Sequence, residues 1–313
     1  MRSNPELNRS PFFHRNYGGF THQQKEFYES IIKIDTVKTV LDPMAGQGYL
    51  LSKLCRDNFE VWLGDINPAP LFLASLRDPK FIVNRDWIYK YTNNFLANLA
   101  SVPEARENIR YKYEDGWIID PIRHDLEKYA GFLEIASIFD FGNLQNFCQE
   151  DIFKKFLAFL PILAARELTT YHESDNKTWL MPGGLIRETG IIAPLTNALE
   201  KWYEYANNIA NQNQTGYTNS SLNVSYMNVE HGDFGLSPNP DAIVTSPPYA
   251  NRLDYTRMWY PEMVVSSILF NIDIRKIKDN QIGSTVVSKK QFSIHDIYSL
   301  PTKTQDALEE IRK

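Results

Sequence analysis

Residues 39–65 carry the pattern that most constrains the fold of this chain. Two short apolar runs, 39–41 and 59–65, have the composition of buried strands. Between them lie a turn with two glycines at 42–48 and a segment, 49–56, with leucines at helical spacing. Strand, turn, helix and strand in this order predict a βαβ unit, the building block of a doubly wound α/β protein with a parallel sheet.

Two later segments, 222–229 and 241–245, predict a third and a fourth strand of the same sheet. About 156 residues separate the second strand from the third, and a plain crossover is far shorter. We therefore expect a large insertion, with a loop at 174–184 and helical spacing at 87–99, 103–113, 120–129, 144–168 and 191–211. The predicted division is a first part of the core at 1–75, a helical insertion at 76–215 and the remainder of the core at 216–313.

The composition is that of an ordinary globular protein, since 43% of the 313 residues are hydrophobic and 23% are charged. No apolar run reaches the ~18 residues of a membrane span, and the N-terminus lacks the apolar region of a secretory signal. Two cysteines, Cys55 and Cys148, exclude a disulfide framework and fit a reducing compartment. These features predict a cytoplasmic protein with no membrane partner.

The glycine turn that begins at Asp42 predicts a ligand site, because such a turn exposes backbone N–H groups before a helix. Position 51 is leucine, so the third glycine of a dinucleotide fingerprint is missing. An acid at the start of the turn repels a pyrophosphate and suits a cationic ligand that carries an amino acid. S-adenosyl-L-methionine has this chemistry, with a sulfonium and an ammonium group. The alternative is a tight turn with a structural role only.

Acidic residues at two further strand ends strengthen the prediction of a cofactor site. Asp65 lies 17 residues after Gly48, at the end of the second strand, where a carboxylate can accept hydrogen bonds from ribose hydroxyls. Asp233 follows the third strand, from where it could reach an adenine amino group. Because the carboxyl ends of parallel strands share one edge of the sheet, we expect these groups to face one crevice.

The fourth predicted strand runs directly into Ser246-Pro247-Pro248-Tyr249. Two consecutive prolines cannot continue a strand ladder, and they fix an extended backbone with its carbonyl groups exposed. Hydrogen-bond acceptors beside an aromatic ring suit a nucleobase that has been flipped out of its stack. The alternative is a proline-rich strand exit without a ligand.

With these two motifs the chain resembles the amino-methyltransferases of DNA, which modify the exocyclic amine of cytosine or adenine. The 42–48 turn is similar to their cofactor motif and 246–249 to their catalytic motif, while 12–21 resembles an additional N-terminal cofactor motif. The resemblance covers about 12–70 and 222–260, and it implies a Rossmann-like class I methyltransferase sheet. The cofactor residues that it implies are Phe20, Thr21, Asp42, Pro43, Ala45, Gly46, Gly48, Asp65, Ile66, Asp233 and Phe234.

The resemblance also implies the chemistry. A serine before the two prolines is typical of transfer to cytosine N4, with Ser246 and the Pro247 carbonyl accepting the amine N–H groups, Pro248 keeping the segment rigid and Tyr249 stacking on the base. Neither cysteine follows a proline, which excludes the carbon-5 cytosine chemistry. The expected DNA contacts come from Asn251, Arg252, Arg257, Lys177 and Trp179, and no metal is expected.

Three alternatives to this reaction stay open at the level of sequence. They are an adenine-N6 DNA methyltransferase, an RNA base amino-methyltransferase, and a non-catalytic half that binds cofactor and nucleic acid. The expected partner is DNA, in a restriction–modification system whose endonuclease acts separately. Only 64 residues follow Tyr249, so we also expect a C-terminal continuation or a second subunit to complete the sheet.

Overall fold

The computed structural model describes residues 26, 30–31, 33–49, 51–57, 59–99, 115–133, 152–175, 179–185, 189–212, 221–229, 239–245 and 255–280. Over these residues the protein is α/β, as predicted, with six strands, ten α-helices and one 3-10 helix. The strands are β1 (Thr39–Asp42), β2 (Glu60–Asp65), β3 (Tyr171–Glu173), β4 (Leu180–Pro182), β5 (Ser221–Tyr226) and β6 (Ala242–Ile243). The α-helices are α1 (Pro68–Ser75), α2 (Pro79–Val83), α3 (Arg85–Asn98), α4 (Asp120–Phe132), α5 (Ile152–Leu163), α6 (Ala165–Leu168), α7 (Ile192–Gln212), α8 (Tyr255–Met258), α9 (Tyr260–Phe270) and α10 (Ile274–Asn280).

Four strands form a parallel sheet in the order β5-β2-β1-β6. All four predicted strands are therefore confirmed, with β5 and β6 shorter than their sequence patterns. The Asp241 carboxylate fixes β6 beside β1, because it accepts the backbone N–H groups of Lys38 (2.9 Å) and Thr39 (2.8 Å). The chain progresses from β1 through β2 to β5 on one side and adds β6 on the other, so the strand order reverses between β1 and β6.

The segment after the glycine turn is a 3-10 helix, Leu51–Asp57, where the leucine spacing predicts an α-helix over 49–56. Residues 43–59 connect β1 to β2, and the 3-10 helix occupies seven of these positions. At about 2.0 Å per residue a 3-10 helix covers about 14 Å, whereas an α-helix covers about 10 Å. The four residues of β1 cover about 13 Å, a length that the 3-10 helix matches.

The buried side chains form two hydrophobic clusters, and α1 belongs to both. The first cluster lies on the sheet and includes Val40, Val61 and Leu63. The second, which we call the helical core, lies among the helices and is larger. All eight residues of α1 are buried: Leu71 and Ala74 pack in the sheet cluster, and Ala69, Phe72 and Leu73 pack in the helical core.

Between β2 and β5 the described residues form the helices α1 to α7 and the strands β3 and β4. The expected helices at 87–99, 120–129 and 191–211 correspond to α3, α4 and α7, and 103–113 lies outside the described residues. The expected continuous helix at 144–168 is wrong in its described part, where α5 and α6 are separated at Ala164. The sequence also predicts helices at 261–271 and 274–280, which α9 and α10 confirm, and a strand at 285–287, which lies outside the described residues.

A buried proline explains a long-range bond in the helical core. Pro161 lies inside α5 and has no N–H group, so the carbonyl of Leu157, four residues earlier, receives no helical hydrogen bond. The hydroxyl of Tyr129, on α4, donates to this carbonyl at 2.7 Å. Because both groups are buried, the hydrogen bond from Tyr129 satisfies the Leu157 carbonyl, which the proline leaves without a helical donor.

The strands β3 and β4 pair antiparallel as a β-hairpin, so β4 lies inside the segment 174–184 that we expect to be a loop. His172 pairs with Met181 and Glu173 with Leu180. A three-residue strand is too short for its alternation to be recognised in sequence. At the base of the hairpin, the backbones of Gly184 and Tyr171 lie so close together that a Cβ on Gly184 would overlap the backbone of Tyr171. No described helix is both long and apolar enough to cross a membrane.

Replacement of Tyr129 by phenylalanine tests the bond to Leu157. The buried carbonyl would lose its donor, so we expect the free energy of unfolding to fall by about 1–2 kcal/mol. Tyr91→Phe, at an exposed tyrosine on α3, is the matched control and should change stability by less than ~0.5 kcal/mol. Urea denaturation measures both variants, and equal losses of stability would contradict this interpretation.

Candidate functional site

Three acidic or polar side chains meet at the carboxyl edge of the sheet. Asp42 ends β1, Asp65 ends β2 and Thr245 follows β6. In an open parallel sheet, ligands bind in the crevice outside the carboxyl ends of the strands at the point where the strand order reverses. Here the order reverses between β1 and β6, so the fold brings Asp42 and Thr245 to such a crevice.

The two glycines of the turn after β1 have different roles. Gly46 and Gly48 both have positive φ angles, 53° and 59°, which other residues adopt only with strain. A Cβ on Gly48 would overlap the side chain of Leu63, so this glycine lets the turn pack against β2. A Cβ on Gly46 would meet no atom of the described residues within 4 Å. Among these residues Gly46 therefore faces open space in which a ligand could approach the backbone.

The carboxylate of Asp65 holds the turn in place. Its Oδ2 accepts the N–H of Gly46 and its Oδ1 accepts the N–H of Asn67, each at 2.8 Å. The N–H of Ile66 is a third donor to this carboxylate. Because a carboxylate has about four acceptor positions, Asp65 retains capacity for a ligand. Burial raises the pKa of Asp65 to about 6, and its N–H donors only partly oppose this rise.

Asp42 lies beside Asp65 and is also held by short contacts. Its Oδ1 accepts the N–H of Met44 at 3.1 Å, and the Thr245 hydroxyl donates to its carboxylate. Burial raises the pKa of Asp42 to about 6, the nearby charge of Asp65 adds to the rise, and the bonds from Thr245 and Met44 oppose it. A cation bound between the two carboxylates would relieve both the desolvation and the repulsion.

Gln47 adds an amide group to the turn. Its Oε1 atom is buried, and within the described residues it has no hydrogen-bond partner. The carboxylates of Asp42 and Asp65, which accept N–H groups of the turn, form a set of acceptors beside Gly46. Such a set fits a ligand that carries positive charge and several N–H or O–H donors, and it fits an anionic phosphate poorly.

The structure brings together the predicted cofactor residues of the first βαβ unit, which are Asp42, Pro43, Ala45, Gly46, Gly48, Asp65 and Ile66. Two predicted DNA contacts are also described, and their elements are neighbours, because β4 packs against α8. Trp179 directly precedes β4, and Arg257 lies on α8 with its guanidinium carbon 5.3 Å from the ring centroid of Tyr260. The other predicted site residues lie outside the described residues: Phe20, Thr21, Lys177, Asp233, Phe234, Ser246, Pro247, Pro248, Tyr249, Asn251 and Arg252.

Three residues at the site were not among the predicted site residues. Thr245 contacts Asp42 across about 200 residues of sequence, and Arg77 donates to the carbonyl of Gln47. Asn67 caps α1, since its side chain accepts the N–H of Ala69. Only Asn67 carries a sequence signal, an asparagine directly before Pro68 at a helix start. The partners of Thr245 and Arg77 depend on the tertiary fold.

No family model matches this chain, and comparison with curated proteins and with solved structures gave no significant match. Within the described residues, no group of three or more histidine, cysteine, aspartate or glutamate side chains could hold a metal ion.

The raised pKa of Asp42 predicts a variant that is more stable than the natural chain. The folded protein binds more protons than the unfolded chain between about pH 4 and pH 6, so this group lowers stability as the pH rises through that window. Asp42→Asn removes the buried charge and can keep the acceptor for Met44. We expect a gain of about 1–2 kcal/mol at pH 8, disappearing near pH 4, in urea denaturation.

Asp241→Asn is the control with the opposite sign. Backbone N–H donors of Thr39 and Lys38 lower the pKa of Asp241, so its stabilising contribution is present at high pH and lost as the pH falls. This variant should lose stability at pH 8 and approach the natural chain in acid. If Asp42→Asn lost stability at pH 8 as Asp241→Asn does, the account of a strained buried carboxylate at β1 would be wrong.

Proposed function

We propose that this protein is a methyltransferase that transfers the methyl group of S-adenosyl-L-methionine to the exocyclic N4 amine of cytosine in DNA. The observation that carries the proposal is the pair of buried carboxylates, Asp42 and Asp65, beside the open face of Gly46 at the reversal of strand order. The two carboxylates favour a cationic ligand, and the motif at 246–249 would supply the hydrogen-bond acceptors for an amine substrate.

The sheet topology supports a Rossmann-like class I methyltransferase core. In order along the chain, the parallel strands are arranged third, second, first and fourth. The doubly wound dinucleotide-binding sheet begins with the same order, and its ligand lies at the reversal between the first and the fourth strand. A large helical insertion between the second and third strands leaves this order unchanged.

The acceptor set supports this cofactor in particular. When bound, the cofactor supplies a methyl group on a sulfonium, which is a good leaving group. Asp65 would accept a hydrogen bond from a ribose hydroxyl with the lone pair that Gly46, Ile66 and Asn67 leave available. Asp42 would stabilise the positively charged methionine portion. Gly46 would allow the ligand to approach the backbone of the turn, because no side chain of the described residues stands where its Cβ would be.

The catalytic roles rest on the motif that follows Thr245. The Thr245 hydroxyl donates to Asp42, so the chain leaves β6 beside the carboxylates of the cofactor turn. Ser246 and the Pro247 carbonyl would accept the amine N–H groups and orient the nitrogen lone pair, with Tyr249 stacked on the base. The N–CH3 bond would form as the S–CH3 bond breaks, the neutral thioether S-adenosyl-L-homocysteine would leave, and the proton of the amine would pass to solvent water. Orientation and electrostatics supply the acceleration, without a covalent enzyme intermediate.

The neighbouring positions of β4 and α8 support a role for the insertion in DNA recognition. Trp179 directly precedes β4, and Arg257 lies on α8, which packs against β4. Trp179 comes from the insertion, whereas Arg257 follows the catalytic motif. A base pocket supplies little sequence choice by itself, so flanking bases must be read by other residues. We propose that the β3–β4 hairpin contributes to this reading in a cytoplasmic restriction–modification system.

Replacement of Gly46 and of Gly48 by alanine, one at a time, distinguishes an effect on ligand binding from an effect on folding. Gly46→Ala has room for its methyl group and should cost only about 1–2 kcal/mol for its φ angle, but it fills the proposed ligand space. Gly48→Ala would also overlap Leu63 and should lose more stability, about 3 kcal/mol in total. Calorimetry with S-adenosyl-L-methionine should show at least ~10-fold weaker binding for Gly46→Ala. A folded Gly46→Ala protein with unchanged affinity would argue against this site.

Analysis of the methylated product tests the reaction itself. DNA incubated with the protein and S-adenosyl-L-methionine should contain N4-methylcytosine, detected by mass spectrometry of nucleosides. Ser246→Ala should lower kcat by about 100-fold and leave cofactor affinity unchanged, because the hydroxyl acts on the amine. N6-methyladenine alone would refute the cytosine assignment and retain the class. Cofactor binding without transfer to DNA or RNA would favour the non-catalytic alternative.

A further inference from the structure

Arg77 is a buried arginine that contacts the glycine turn from a different part of the chain. It lies two residues after α1, and only 5% of its surface is exposed. Its Nη1 donates to the carbonyl of Gln47 at 3.0 Å, and its guanidinium carbon lies 5.1 Å from the ring centroid of Tyr49. Arg77 therefore contacts the turn on both sides of Gly48.

These contacts fix a peptide group that the turn cannot fix with an ordinary helical ladder. The carbonyl of Gln47 and the N–H of Gly48 belong to one peptide group. Arg77 donates to that carbonyl, and the N–H of Gly48 donates to the carbonyl of Ala45 at 2.8 Å. Since both polar atoms are bonded, the plane of this peptide is set. The orientation of the buried Gln47 side chain depends on that plane.

Arg77 is itself held by the helical core. The backbone N–H of Arg77 donates to Ala74 at the end of α1, at 3.0 Å. The indole N–H of Trp202, on α7, donates to the carbonyl of Leu76 at 3.2 Å. Both Leu76 and Trp202 are fully buried in the helical core. The side chain of Arg77 thus extends from a rigid segment of the helical core to the turn on the sheet.

We infer that Arg77 is a positioning residue for the cofactor turn: it does not touch the cofactor, and it holds the Gln47–Gly48 peptide in the conformation that binds. This inference rests on the proposed function for the identity of the ligand. A lysine could keep the charge but not the planar, forked donor group that contacts a carbonyl and an aromatic ring together. Arg77→Lys should therefore affect the turn even though it is a conservative change.

The test compares Arg77→Lys with Arg166→Lys. Arg166 is the matched control, because it too is a largely buried arginine, and its Nε contacts Glu262 at 2.8 Å in the helical core. Hydrogen exchange measured by mass spectrometry on the ligand-free full chain is the first readout. Arg77→Lys should accelerate exchange in residues 43–49 by about tenfold, and Arg166→Lys should do so around 258–262 and leave the turn unchanged.

Calorimetric affinity for S-adenosyl-L-methionine is the second readout. Arg77→Lys should bind about 5–10-fold more weakly, with kcat at saturating cofactor unchanged, while Arg166→Lys should keep the natural affinity. If the natural chain did not bind S-adenosyl-L-methionine, the proposed function would be overturned. The hydrogen-exchange data would then still decide whether Arg77 holds the turn. Unchanged exchange in 43–49, or equal affinity of the two lysine variants, would overturn the inference.

Discussion

The hydrogen bond from the Gly46 N–H to the Asp65 carboxylate is the interaction on which the described site depends. It ties the turn after β1 to the end of β2 at 2.8 Å, and the second oxygen of the same carboxylate holds the N–H of Asn67 before α1. One side chain therefore fixes both the glycine turn and the start of α1. Burial at this position destabilises the charged form of the Asp65 carboxylate. A ligand that compensates the charge would give a physical reason for an aspartate at this position.

The two hydrophobic clusters support different parts of the protein. The sheet cluster supports the strands whose ends form the candidate site, and the helical core supports the elements that the insertion adds. Helix α1 joins the clusters because it is buried on all sides, and Phe72 of α1 contacts both Phe159 and Phe270 at 4.9 Å between ring centroids. The insertion thus contributes to the position of the turn through Arg77 and through the contact of Phe159, on α5, with α1, and does not merely cover the sheet.

The sequence predicts the elements whose signals are local and leaves out contacts that depend on distant residues. The strands, the glycine turn and the long helices α3, α4 and α7 follow from apolar spacing, and the acids Asp42 and Asp65 follow from their places at strand ends. The leucine spacing of 51–57 does not distinguish a 3-10 helix from an α-helix, and the three-residue strands β3 and β4 are too short to show an alternating pattern. The bonds of Thr245 and Arg77 join segments far apart in sequence, for which a single sequence holds no pattern.

The central claim is that a pair of ionised carboxylates binds a cationic cofactor. The most direct measurement is calorimetric titration of the natural chain with S-adenosyl-L-methionine at pH 8 and at pH 5. Because the pKa values of Asp42 and Asp65 are each raised to about 6, both carboxyl groups should be mostly protonated at pH 5, and affinity should fall at least ~10-fold. Absence of binding at pH 8, or an affinity that does not change between the two pH values in a folded protein, would contradict the account.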